Sequence, residues 1–235
     1  MIYNINLGIG WASSGVEYAQ SYRAVMFRNI GADAKFIFTD LITAENIEHL
    51  TKNIGFLDSE VIWLYTFFTD YKIAPVSYTL DDLKRTLPTE KYTYTRTGKT
   101  GRIVFPGKNN FYSVYFTDGK SELVHRVEIV SEGYLIRKDY FTYGRTFTEY
   151  YAPLDHKAHL YLRRFFNEDG TVAYEEISDD GKVMYQFPDR FFCSKEELVG
   201  YMISRLNLTK EDTVLIDRTT GIGQAILRNA GDARV

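Results

Sequence analysis

The sequence predicts an α/β fold in which a parallel-sheet pattern opens, is interrupted by an aromatic-rich antiparallel β-meander, and then resumes. Three observations predict it. The first forty residues read strand, glycine loop, helix, strand. Residues 88–192 hold 22 of the 37 aromatic side chains and are punctuated by turn dipeptides. Residues 212–227 return to strand, glycine loop and helix. The expected boundaries are therefore 1–87, 88–192 and 193–235.

Ile2 to Leu7 alternates apolar and polar residues and reads as a short strand. Gly8, Gly10 and Gly15 follow in a loop, where glycine permits positive φ and close backbone approach. Val16, Ala19, Tyr22 and Val25/Met26 recur at helical spacing, which predicts an amphipathic helix packed through that face. Ser14 followed by Glu17 is a capping-box pattern, and Gly31 is a plausible stop. Lys35 to Asp40 reads as a second strand, completing a right-handed βαβ unit.

A glycine loop opening into a helix leaves backbone N–H groups aimed outward, at the positive end of the helix dipole. Phosphate or diphosphate is the natural guest, although the same glycines could simply make a tight turn. The spacing departs from both the dinucleotide fingerprint and the P-loop, which disfavours a nicotinamide enzyme.

Between the first unit and the meander, Ala44 to Leu50 reads as a helix capped by Thr43. Val61 to Tyr65 fits a short strand or a buried helical turn. Thr79 to Leu87 reads as a short helix, with Asp81 and Asp82 early and Lys84 and Arg85 late. Within the meander, Thr97-Gly98, Asp118-Gly119, Glu132-Gly133, Asp169-Gly170 and Asp180-Gly181 separate alternating runs. One face is expected to pack on a helix or partner and the other to display tyrosines such as Tyr112 and Tyr161. Leu198, Met202 and Leu206 share a helical face, and Asp212 to Arg218 is a compact strand of parallel-sheet type.

The composition narrows the function classes. A net charge of −3 recruits neither nucleic acid nor an anionic membrane. The single cysteine, Cys193, permits no internal disulfide and no multi-cysteine zinc site, and is read as a half-buried apolar residue. No apolar run approaches the roughly 20 residues of a membrane span, so a cytoplasmic protein is expected, at most peripherally attached through a complex. His49, His125, His156 and His159 read as surface imidazoles. Arg137-Lys138-Asp139, Arg163-Arg164 and Glu175-Glu176 read as solvated strand positions. No metal site, cofactor or catalytic side chain is assigned.

The segment Tyr3 to Gln20, YNINLGIGWASSGVEYAQ, is distinctive. It resembles the start of the bacterial accessory-secretion O-linked N-acetylglucosaminyltransferases that modify serine-rich repeat adhesins. Lys35 to Asp40, Leu135 to Phe141, Phe166 to Gly170, Asp217-Arg218 and Gly221 to Gln224 agree with it. The resemblance implies an incomplete Rossmann-like first lobe of a retaining, metal-independent GT-B glycosyltransferase. It assigns Trp11, Ser14, Gly15, Val16, Glu17 and Tyr18 to contact with a UDP-sugar or the acceptor hydroxyl. Trp11 alternatively packs against the meander or the second lobe, and Glu17 is already explained by its capping role.

The resemblance also implies that the meander binds a related non-catalytic partner subunit and helps hold the serine-rich acceptor polypeptide. The second, nucleotide-binding lobe of the family has no counterpart in these residues. The chain alone is therefore expected to transfer no sugar. An alternative is a non-catalytic module that binds a partner or acceptor polypeptide. An unfinished parallel sheet exposes an edge, so self-association or dependence on a partner is expected.

Overall fold

A computed structural model describes residues 1–10, 14–107, 109–179 and 181–235. These form two compact units, one of residues 1–73, 183–185 and 189–235, the other of 74–182 and 186–188. The structural class is mixed α/β, with one parallel and one larger antiparallel sheet, as the sequence predicts.

In the first unit, β1 (Ile2–Asn6), α1 (Gly15–Asn29) and β2 (Ala34–Phe38) form the βαβ unit. α2 (Ile47–Asn53), β3 (Val61–Trp63) and α3 (Leu64–Phe67) follow. Val61 to Tyr65 is thus both strand and helical turn. Asn46, not Thr43, caps α2, its side chain accepting from the Glu48 amide. The parallel sheet is completed by β14 (Thr213–Ile216) in the order β14-β1-β2-β3. β1 pairs on both sides, with Ile5 opposite Ile216 and Ile37. Asn4, Ile5 and Asn6 are fully buried.

The α1 helix ends in a Schellman motif. The Gly31 amide donates to the Arg28 carbonyl and the Ala32 amide to that of Phe27, with Gly31 at φ +68°. Its orientation corrects the sequence reading. Tyr22, Val25 and Met26 are 74%, 42% and 49% exposed, whereas Glu17, Gln20, Ser21, Ala24 and Phe27 are buried. The physical reason lies in β1, whose inward Asn4 and Asn6 need polar partners that an apolar helix face cannot supply.

The second unit opens with α4 (Leu80–Arg85), capped by Thr79 and Asp82 in a capping box. The meander then runs through β4 (Thr93–Thr97), β5 (Thr100–Val104), β6 (Phe111–Phe116), β7 (Val124–Ser131), β8 (Tyr134–Phe141), β9 (Arg145–Leu154), β10 (Lys157–Phe166) and β11 (Val172–Asp179). β12 (Lys182–Gln186) and β13 (Phe191–Phe192), of which Val183–Tyr185 and β13 are counted with the first unit, end a ten-stranded hydrogen-bonded order that is the chain order. Leu80 and Leu83 of α4 pack on Ile103, Val114, Phe116, Val127 and Ile129. Tyr112 belongs to this packed face, its ring 4.8 Å from Phe105, so of the two expected display residues only Tyr161 is exposed.

Cross-strand register stacks an aromatic row. Tyr140, Phe147, Phe165, Tyr174 and Phe187 lie with successive centroids 4.2, 5.5, 4.4 and 4.8 Å apart. Strands lie about 4.8 Å apart, so opposed residues on one face bring their rings into contact.

The charged strand residues are not simply solvated. Glu149, Glu176 and Asp139 are buried. Glu149 accepts from the Tyr140 hydroxyl (2.8 Å), the Tyr151 hydroxyl (2.7 Å) and Arg163 Nε (2.9 Å), while Arg163 also pairs with Glu176. Burial opposes the charge of Glu149, yet these donors hold its carboxyl below the usual range. Burial raises both tyrosine hydroxyls, and the adjoining carboxylate raises them further. The alternation pattern misses this cluster because period two reports facing, not pairing. His125 is also no ordinary surface imidazole, since burial, then Arg126 and Lys99, pushes it down to about 4. Cys193 is exposed rather than half-buried.

Arg163→Met strands two buried carboxylates. It is expected to cost about 3–5 kcal/mol in urea unfolding, against under about 1 kcal/mol for Arg164→Met at the more exposed pair with Glu175.

Candidate functional site

The C-terminal ends of β1, β2 and β14 converge on one cleft. β1 lies between β14 and β2, so this is the point where the strand order reverses, which is where open parallel sheets place ligands. A cavity of about 360 Å³ opens there, lined by Gly8, Ile9, Gly10, Ser14, Glu17 and Asp40, with Leu41, Ile42 and Arg218 completing it.

Of the sequence-assigned residues, the structure brings Ser14 and Glu17 to this cavity. Ser14 is the α1 N-cap, with its Oγ accepting from the Val16 amide at 3.3 Å. Glu17 Oε2 accepts from the Ser14 amide at 2.5 Å and also pairs with its hydroxyl. Gly15 and Val16 form the first turn, and Tyr18 stands half exposed on the outer stripe with Tyr22. Trp11 lies outside the described residues.

The glycines divide by cause. None of Gly8, Gly10 and Gly15 has positive φ, so conformational freedom is not their use here. A Cβ on Gly8 would come 3.1 Å from the Asp40 side chain, so Gly8 permits two strand ends to approach closely. Among the described residues, a Cβ on Gly10 or Gly15 would meet nothing within 4 Å.

Charge at the cleft is balanced. Burial works against ionisation of Glu17, but hydrogen bonds from Ser14 and Asn6 hold its carboxyl below the usual range. Arg218 Nη2 donates to Ser14 Oγ at 2.9 Å and lies 3.6 Å from Glu17. Lys195 pairs with Asp40. Sequence reading missed Arg218 as a lining residue and weighed Asp40 only as a ribose-binding acid after the second strand. The available signal for Arg218 was position, following the end of a parallel strand.

Beneath the cleft runs a buried polar relay. Asn6 Nδ2 donates to Glu17 Oε1 and to Gln20 Oε1, both at 3.2 Å. Arg23 Nε donates to Asn4 Oδ1 at 2.8 Å, and its Nη2 grips Asp217 at 2.5 and 2.6 Å. Among the described residues no cluster of three metal-ligating side chains occurs.

Comparison with known proteins follows this geometry. The family described as GtfA extended beta-sheet domain matches residues 93–189. Over its full length the chain is 54% identical to the UDP-N-acetylglucosamine–peptide N-acetylglucosaminyltransferase GtfA subunit of Streptococcus agalactiae, covering 46% of that protein. The chain is a strong homologue of the N-terminal part of GtfA subunits.

A solved GtfA/B complex contains a chain with 51% identity and a TM-score of 0.95, over 99% of this chain and 46% of that one. The pneumococcal O-GlcNAc transferase GtfA, solved with UDP and GlcNAc, matches with the same identity, TM-score and coverage. The chain thus spans about half the length of the GtfA relatives it matches, and the GT-B-type fold expected from the resemblance is borne out.

Glu17→Gln is expected to cost about 1 kcal/mol at pH 7. A carboxyl held below its unfolded value stabilises above about pH 4.3 and loses that contribution as pH falls through the lowered value. The difference from wild type should therefore shrink between pH 5 and pH 3 in urea titrations. Gly10→Ala should leave stability unchanged, whereas Gly8→Ala should lower it.

Proposed function

We propose that this chain is the N-terminal segment of a retaining glycosyltransferase that transfers N-acetylglucosamine from UDP-GlcNAc to Ser or Thr of a serine-rich adhesin. The observation that carries the reading is an open, charge-balanced cavity at the switch point of a sheet whose chain is 54% identical to a GtfA subunit. The donor, the acceptor, a related partner subunit and a cytoplasmic setting are parts of the same proposal. The GtfA/B and UDP–GlcNAc structures of relatives support it. No described helix is long and apolar enough to cross a membrane.

Ser14, Gly15, Val16, Glu17, Tyr18 and Trp11 remain the proposed donor or acceptor contacts, with Arg218 added. The α1 N-terminus already holds the Glu17 carboxylate, which weakens its pull on a second anion. Arg218 is the cavity's guanidinium, and it offers phosphate a paired set of donors that the capped helix end does not. Glu17 and Asp40 are acceptors suited to sugar or acceptor hydroxyls. The meander contributes the partner and acceptor surface, supported by the family match over 93–189 and by exposed Tyr134 and Tyr161.

Two outcomes test the reading. These 235 residues alone, given UDP-GlcNAc and a serine-rich peptide, should release no UDP above background. Turnover by this polypeptide would overturn the assignment of the remaining machinery to the longer chain. In the complete subunit with its partner, Arg218→Ala should lower kcat/KM at least about tenfold, equivalent to about 1.4 kcal/mol, with thermal stability little changed. Unaltered kinetics would remove Arg218 from the site.

A further inference from the structure

Three elements of the first unit meet in a closed triangle of polar side chains. Arg23 of α1 donates through Nε to Asn4 Oδ1 of β1 at 2.8 Å. Asn4 Nδ2 donates onward at 2.5 Å to Oδ2 of Asp217, the residue that follows β14. Arg23 Nη2 closes the figure on both Asp217 oxygens, at 2.5 and 2.6 Å. Each member therefore holds the other two. Asn4 is fully buried, and the Arg23 and Asp217 side chains are 28% and 16% exposed.

Stability is a weak reason for such a figure. The attraction within a buried ion pair is largely offset by desolvation, and apolar packing of similar volume does as well or better. What directional, charged bonds add is a fixed place for the backbone that carries them. Here that backbone is Asp217, whose amide also donates to the Ile5 carbonyl at 3.0 Å. The next residue is Arg218. Beyond it Thr219, Thr220 and Gly221 are exposed, and Gly221 takes φ +76°. The firm hold on Arg218 thus comes from the residue before it.

Arg218 commits one nitrogen to the cleft wall. Its Nη2 donates to Ser14 Oγ at 2.9 Å and lies 3.6 Å from Glu17. Among the described residues, its Nη1 and Nε have no hydrogen-bond partner. A long side chain loses rotamer freedom when it grips a ligand, and a fixed base lowers that cost.

We propose that the Arg23–Asn4–Asp217 triangle is a positioning device for Arg218, setting its guanidinium to meet the diphosphate of a nucleotide sugar. This rests on Arg218 being the phosphate contact proposed above. Arg23 and Asp217 are positioning residues that act through Arg218. Arg23 also keeps the Asp217 carboxylate engaged, which would otherwise compete with phosphate for the neighbouring guanidinium.

The test uses the complete subunit with its partner and UDP as the probe, titrated by calorimetry. Asp217→Asn and Arg23→Lys should each weaken UDP binding at least about fivefold. Asp217→Asn keeps the side-chain volume. Arg23→Lys keeps the charge but cannot reach Asn4 and Asp217 together. In an Arg218→Ala background, Asp217→Asn should weaken UDP binding no further, because the group it acts through is gone. Arg28→Met breaks the α1 ion pair with Glu60, outside the cavity lining, and should leave UDP affinity unchanged whatever it does to the melting temperature. Single variants that bind UDP as wild type does, a further loss from Asp217→Asn in the Arg218→Ala background, or equal weakening by Arg28→Met would each overturn the proposal while keeping Arg218 in the site. Arg218→Ala that binds UDP as wild type does would overturn the reading of the cavity along with it.

Discussion

The first unit depends on a polar seam between β1 and α1. Asn4 and Asn6 are themselves fully buried, where an unpaired amide costs a few kcal/mol. Glu17, Gln20 and Arg23 answer them from the helix, and Asp217 closes the seam from β14. Directional partners fix both the rotation of α1 and its height on the sheet. A greasy interface would tolerate slippage that this one does not.

That seam reaches the cleft through a single carboxylate. Glu17 binds Asn6 below, Ser14 above and faces Arg218 across the cavity. The residue that caps the helix thus ties the glycine loop, the sheet and the cavity wall together. Its cost is also functional, since an internal carboxylate already occupies the electropositive helix end. In the proposed site, anion recognition would fall to Arg218, at the end of the neighbouring strand, with Glu17 and Asp40 as acceptors for hydroxyl groups.

The second unit follows a different principle. Its seven consecutive antiparallel pairs from β4 to β11 are held by one apolar face under α4 and by cross-strand rows. The aromatic row from Tyr140 to Phe187 and the Glu149–Arg163–Glu176 cluster run perpendicular to the strands. Such rows exist only once register is set, because their members sit on different strands and meet only when those strands pair.

Much was written in the sequence. Local rules gave the βαβ opening, the Ser14–Glu17 capping box, the Gly31 stop, the hairpin turns and the return to a parallel strand at Thr213. Each of these depends on a few neighbouring residues. The resemblance carried by residues 3–20 supplied the family. Tertiary structure decided what depends on distant partners. It turned the apolar stripe of α1 outward because β1 carries asparagines, and it buried Glu149 and Glu176 because Arg163 and two tyrosine hydroxyls neutralise them. It brought Asp40 and Arg218 to the glycine loop because parallel strands end together. Periodicity records which residues are apolar; only the packed chain determines which polar groups find one another.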